Sequence, residues 1–218
     1  MKKILVIGTG GLAREFCSYF SDCEKIISIV GFSSANLEEH RLFSLPGRLF
    51  EGDITPEIVE TNEVVVAIGN PSAKKRISEC LKHLGFSFPS LIHPSSVVSG
   101  RVALSEGVII SPNCSVSPNV QLKAFCYLNF GVGIGHDSVV GSYTQVNPGV
   151  QLGGFSVVGD GTLIGSGSTV LQGVKIGSGV TIASGSVVFS RVADGATMMG
   201  NPAKRMRAFE KQGADCSV

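Results

Sequence analysis

Charge of one sign is what this 218-residue chain lacks: 18 Lys and Arg stand against 17 Asp and Glu, a net charge of +1. No strong field therefore gathers nucleic acid or an anionic membrane surface, and small-molecule work is favoured. No apolar run approaches the roughly 20 residues that cross a bilayer as a helix. The six cysteines (Cys17, Cys23, Cys80, Cys114, Cys126, Cys216) include no C-x-x-C pair for zinc and no dense framework of the small secreted kind. No signal peptide precedes them, and reduced thiols in the cytoplasm are the simplest reading. The nine prolines follow no G-X-Y period, which excludes collagen. Charged residues make up 16% against 43% hydrophobic, the balance of a compact globular chain and not of a disordered one. Glycine is what the chain has in quantity, 28 in all, and so many positions without a Cβ suggest a fold with many tight corners.

The opening run, Lys2 to Gly8 (KKILVIG), reads as a buried parallel strand feeding a turn and a helix from about Leu12 to Phe20. A second strand is expected over Ile26 to Phe32, a third over Val64 to Ile68, and a helix over Pro71 to Leu84 with Lys and Arg on its wet side. Residues 1–90 thus read as a β-α-β, Rossmann-like unit with a parallel sheet. The glycine loop Gly8 to Gly11 can cradle a phosphate at the start of the following helix, and equally serves as a plain tight turn. A complete NAD domain is not expected in so few residues, and Phe32-Ser33-Ser34 supplies no acid at the end of the second strand.

From Ile92 the period changes. An aliphatic residue recurs every six positions from Ile92 and Val98 through to Ile182 and Val188, seventeen hexads without a slip. Four residues after each anchor sits a small residue, such as Ser96, Cys114, Cys126, Ser138, Thr144 or Val192. A six-residue period fits neither a helix nor a simple hairpin. It fits a short strand plus a corner repeated around a prism, a β-solenoid. Glycine or asparagine often follows the anchor (Gly135, Gly141, Gly153, Asn129, Asn147), residue types that tolerate a left-handed corner. Cys114 and Cys126 fall on inward positions and read as core packing.

This repeat resembles the hexapeptide of the left-handed β-helix acyltransferases, in which three hexads close one coil of about 18 residues. The flanking segments, Gly8-Thr9-Gly10-Gly11, Ala67-Ile68-Gly69-Asn70, Leu91-Ile92-His93-Pro94 and Gly200-Asn201-Pro202-Ala203-Lys204, are together similar to one group of that family. It is the group of sialic acid O-acetyltransferases and bacillosamine-pathway amino-sugar N-acetyltransferases. The resemblance implies an α/β unit over 1–90 that binds a nucleotide-linked sugar, an all-β left-handed parallel β-helix over 91–207, and a tail over 208–218. It also implies acetyl-CoA as co-substrate, no metal, and a homotrimer with the coenzyme in the groove between two prisms. Two columns of apolar outward residues, Ile109, Tyr127, Gln145 and Leu163, and Val139 with Val157, read as the interface between copies.

Acetyl transfer from a thioester needs a base for the acceptor's proton and donors for the oxyanion. Of four histidines only His136 lies deep in the repeat, in Ile134-Gly135-His136-Asp137. Asp137 can hold the imidazole in one tautomer, and the pair matches the family's catalytic histidine followed by an acid. One coil on, at about 4.8 Å along the axis, stands Gly154, the oxyanion candidate by resemblance. By position Gln145, Gly154, Ser166 and Ser184 match residues lining the coenzyme groove. Gly8, Gly10, Gly11, Gly69 and Asn70 shape the acceptor pocket, with Ser33 and Ser34 where the N-acetyltransferases usually carry an Asp-Asp pair and Leu12 where they carry a histidine. The γ-class carbonic anhydrases hold zinc on the same solenoid with three histidines, but this repeat offers only His136, with His93 at its edge. The expectation is acetyl-CoA-dependent transfer to an amino or hydroxyl group of a sugar by direct attack on the thioester. The alternative is a non-catalytic sugar-nucleotide-binding or assembly protein that keeps the solenoid.

Overall fold

The computed structural model describes residues 2–21 and 27–206. Cys23, Ile26, Cys216 and the tail expected over 208–218 lie outside the described residues. The first unit runs β1 (Lys2–Ile7), α1 (Gly11–Ser21), β2 (Ile27–Ser33), α2 (Leu37–Leu42), β3 (Arg48–Phe50), α3 (Pro56–Val59), β4 (Val64–Val66) and α4 (Pro71–His83). Its four strands form a parallel sheet in the order β3-β2-β1-β4. The chain steps outward in one direction through β3 and then returns to the other side of β1, so the crevice between the ends of β1 and β4 is a switch point. Ile4, Val6, Phe16, Phe20 and Phe32 fill the layer between sheet and α1 and are all but inaccessible to water. Each such side chain contributes roughly 1.5–3 kcal/mol through burial.

The solenoid follows as seventeen two-residue strands, β5 (Leu91–Ile92) through β21 (Val187–Val188), each hydrogen-bonded in parallel to the strand one coil away. They fall into three sheets, the faces of a left-handed triangular prism. The first face starts at β5, the second at Val97–Val98 and the third at Ala103–Leu104. Every anchor from Ile110 to Val188 is buried inside. The small residues beside them satisfy corner carbonyls that would otherwise be stranded in the core. Ser138 Oγ donates to Gly153 O at 3.1 Å and Thr144 Oγ1 to Gly159 O at 2.8 Å. Cys114 Sγ stands in the same place, 3.1 Å from Asn129 O. Cys126 is wholly buried, and burial pushes its thiol up to about 12.

The glycines after the anchors serve a different purpose from the one expected. From Gly107 to Gly185 the left-handed residue of each corner is the third after the anchor: Asn113, Asn119, Asp137, Phe155, Gly167 and Gly173, for example, have φ between 58° and 73°. The glycines directly after the anchors lie instead under the next coil. A Cβ on Gly153 would stand 2.5 Å from Gln172 N, so the stacked backbone leaves no room for a side chain there. The hexad ends at Val188. Thr197 pairs with Thr181 across a shortened coil, and β22 (Thr197–Met199) and the antiparallel β23 (Lys204–Arg205) close that end.

The first face of the prism is covered by the N-terminal unit. Leu91, Ile109 and Tyr127 join Phe16 and Phe20 in one core. Asn129 Nδ2 donates to Glu15 Oε2 at 3.1 Å, and Lys74 Nζ on α4 donates to Gln145 Oε1 at 3.3 Å. The column Ile109, Tyr127, Gln145 is therefore buried within the chain, and its apolar character is explained without a second copy. Leu163, Val139 and Val157 are half-buried. Among the described residues no helix is long and apolar enough to cross a membrane.

Candidate functional site

His136 sits on the corner between β12 (Gly133–Ile134), on the second face, and β13 (Val139–Val140), on the third. That corner lies opposite the covered first face, and its side chain is 52% exposed. Asp137, at φ 59°, turns back so that its Oδ2 accepts from His136 Nδ1 at 2.8 Å. With the proton on Nδ1, Nε2 carries the free lone pair. Asp137 is itself held from the coil before, where Asn119 Nδ2 donates to its Oδ1 at 3.0 Å. The bonds from His136 and Asn119 hold the carboxyl below its ordinary pKa, so it stays an anion against the ring.

The next coil supplies the other walls. A Cβ on Gly154 would lie 2.8 Å from His136 Nε2, so only glycine leaves the imidazole where it stands. Phe155 N donates to His136 O at 2.8 Å, and the Phe155 ring meets the imidazole edge-on at 4.9 Å. Among the described residues Gly154 N–H donates to no protein group, which leaves it available to an incoming oxygen. Asn119 and Phe155 were not among the expected site residues. The coil length was the signal that points to them, since they stand one coil below and one coil above Asp137.

The coenzyme candidates do not share one groove. Ser166 and Ser184 are exposed and stacked on the corner between the first and second faces, where Gly185 N donates to Ser166 O at 2.8 Å. The second face runs between that corner and His136, and it carries a shallow groove of about 260 Å³ lined by Ser115, Ser117, Gly133, Gly135 and Gln151. Gln145 is placed elsewhere. It is 3% exposed on the first face beneath Lys74, because the N-terminal unit lands there.

The acceptor candidates converge at the carboxyl ends of the parallel strands, the edge where ligands bind in open α/β sheets. Gly8, at φ 105°, follows β1, and its N donates to Ser33 O at 2.8 Å, tying the ends of β1 and β2 together. A Cβ on Gly8 would meet Ala67 O at 3.1 Å, which brings the third loop close. Gly10 and Gly11 lead into α1, and Gly69 faces open space. Asn70 caps α4, its Oδ1 accepting from Ala73 N at 2.9 Å. Ser34 reaches the buried Thr9, with 3.0 Å between the two hydroxyl oxygens. Among the described residues no three His, Cys, Asp or Glu side chains converge as a metal would require.

Two family models match the chain. The PglD N-terminal domain covers residues 3–81 and the bacterial transferase hexapeptide (six repeats) covers residues 155–190. GDP-perosamine N-acetyltransferase of Escherichia coli O157:H7 is 36% identical over 78 residues, which make up 36% of this chain and 35% of that relative, so the match spans about a third of it. The crystal structure of PerB from Caulobacter crescentus, in complex with CoA and GDP-perosamine, superposes with a TM-score of 0.85 at 26% identity over 95% of this chain and 98% of that one. The acetyltransferase domain of PglB from Neisseria gonorrhoeae superposes at 0.82 with 28% identity over 94% and 100%. With its fold matched over nearly the whole length, a PglD-type domain matched over residues 3–81 and hexapeptide repeats over 155–190, the chain is similar to the hexapeptide-repeat acetyltransferases, in the group of the sialic acid O-acetyltransferases and bacillosamine-pathway amino-sugar N-acetyltransferases.

Proposed function

We propose that the chain transfers the acetyl group of acetyl-CoA to an amino group of a nucleotide-linked sugar, with His136 as general base. The observation that carries this reading is the alignment of Asp137, His136 and Gly154 across two coils. Asp137 keeps the proton on Nδ1, so Nε2 takes the proton released as the acceptor amine bonds to the thioester carbon. Gly154 N–H donates to the carbonyl oxygen as it gains charge. The thiolate of coenzyme A then departs with the electrons of the broken C–S bond. Cys114 and Cys126 are buried in the prism and their thiols are raised by burial, which favours direct attack over an acyl-enzyme. The relatives support the choice of donor and acceptor, one being an N-acetyltransferase of GDP-perosamine and one a structure with CoA and that sugar.

The working form is a homotrimer in the cytoplasm. The acceptor loops belong to a unit on the first face, while His136 stands on the opposite corner of the same prism. A neighbour's N-terminal unit brings its loops to that corner more directly than the chain's own. The corner is also apolar for a wet surface: Phe155 and Phe189 are 52% and 53% exposed, and Leu171 lies beside them. Ser166, Ser184 and the groove of the second face are the coenzyme's track to His136, and Gly8, Gly10, Gly11, Ser33, Ser34, Gly69 and Asn70 form the acceptor pocket.

His136→Ala is expected to lower turnover by roughly 10²- to 10⁴-fold in a thiol-release assay with acetyl-CoA and nucleotide-linked amino sugars. Light scattering should still give three times the 22.7 kDa of one chain. Undiminished thiol release would remove His136 from the chemistry, and a monomer of full activity would remove the trimer.

A further inference from the structure

The second strand ends without an acid, yet a carboxylate stands at the place such an acid would reach. Glu39 on α2 points back over the glycine turn: its Oε2 is 3.2 Å from Thr9 Oγ1 and 3.8 Å from the position of a Cβ on Gly10. Thr9 Oγ1 also lies 2.9 Å from Asn36 O and 3.0 Å from Ser34 Oγ, and its single proton serves only one of these acceptors. Ser34 Oγ in turn accepts from Asn36 N at 3.1 Å, so the two serines' loop is folded to bring α2 toward β1. Among the described residues Glu39 is in no ion pair, and the half-buried carboxylate keeps most of its lone pairs for a ligand.

The opposite charge stands one glycine further on. The Arg14 guanidinium comes within 3.8 Å of a Cβ position on Gly11, lies 3.7 Å over the Phe43 ring, and leaves its Nε without a partner. Adjacent glycines thus carry an anion on one side and a cation with the first free amides of α1 on the other. A ligand that fits has hydroxyl donors joined to an anion. A nucleoside diphosphate has this arrangement, with its phosphates toward Arg14 and the α1 amides, and its ribose toward the carboxylate. The reverse orientation would set phosphate against Glu39 and is disfavoured by charge.

We propose that Glu39 binds the ribose hydroxyls of the nucleotide-linked acceptor, doing from α2 what an acid at the end of β2 does in dinucleotide-binding sheets. The inference rests on the acceptor reading above, and a binding experiment separates the two. Isothermal titration of the full chain with GDP, with UDP and with the 2′,3′-dideoxy form of each is expected to show the ribose form of at least one binding about tenfold tighter, since hydrogen bonds to a charged group are among the stronger ones. Glu39→Gln should bring the ribose form down to the level of the dideoxy form, and Glu39→Asp should restore part of the difference. Both variants should melt with the wild type if the fold is intact. Wild-type protein indifferent to the hydroxyls, or Glu39→Gln with its preference unchanged, overturns the assignment of Glu39 alone. Wild-type protein that binds none of the four nucleotides overturns the acceptor reading and Glu39 with it.

Discussion

At Gly154 the absence of a single carbon decides where an imidazole can stand. The place of a Cβ there lies 2.8, 2.9 and 3.1 Å from three atoms of the His136 ring, the first two closer than a Cβ comes to its neighbours in practice. Gly154→Ala therefore has to swing the ring away from its Nε2 position while Asp137 still holds Nδ1. A displacement of about 1 Å at a reacting group costs on the order of 10²-fold in rate. Turnover should fall by about that factor with the melting temperature little changed, and steady-state kinetics beside a thermal melt would check it. A variant with wild-type turnover would mean that the ring need not stand over Gly154. The Asp137 carboxylate belongs to the same local logic, because hydrogen bonds from the neighbouring ring and from the coil below keep it ionised.

Two sorts of glycine build the corners of the solenoid, and they should respond differently to substitution. Gly153 carries the backbone of the next coil 2.5 Å from where its Cβ would be. Gly153→Ala should destabilise the chain by about 1–3 kcal/mol through overpacking. Gly173 has φ 73° but open space around it, and Gly173→Asn should cost well under 1 kcal/mol, since asparagine tolerates the left-handed region. Denaturant titration of both variants tests the contrast, and equal losses would refute it. The hexad made the solenoid legible from residues alone, because each anchor must point inward and the spacing never slips. The same spacing made His136 and Gly154 neighbours on paper. It did not say which corner position is left-handed, since that depends on the backbone path and not on the side chain. The short α2, α3 and β3 left little pattern to read, three to six residues each, and so the reach of Glu39 over Gly10 emerged only with the fold.

The two units of the molecule meet through a buried charge. Lys74 is 2% exposed, bonded to Gln145 Oε1, with its ammonium 5.5 Å from the Tyr127 ring. Among the described residues it makes no ion pair, and Cys126 and Tyr127 beside it are neutral because burial raises both. Burial pushes the amine down to about 8 from its ordinary 10.5. Between those values the unfolded chain binds the proton that the folded chain has released, so stability attributable to this group rises with pH across that window and is flat below it. Lys74→Met should remove that rise, measured as the difference in unfolding free energy between wild type and variant at pH 7.5 and pH 10. A difference that does not change with pH would mean that the amine is not desolvated at the interface. Gln145 shows why the coenzyme candidates were harder to read than the candidate base: periodicity gives a position along the coil, but not which face a second unit will cover.

The coil length also acts as a ruler that separates chemistry from recognition. His136, Asn119, Gly154 and Phe155 are set by one repeat stacking on the next, whereas the loops proposed to hold the acceptor hang from a sheet docked on another flank. Changes in those loops therefore leave the proposed proton-transfer residues where they stand, provided that no residue is gained or lost between two rungs.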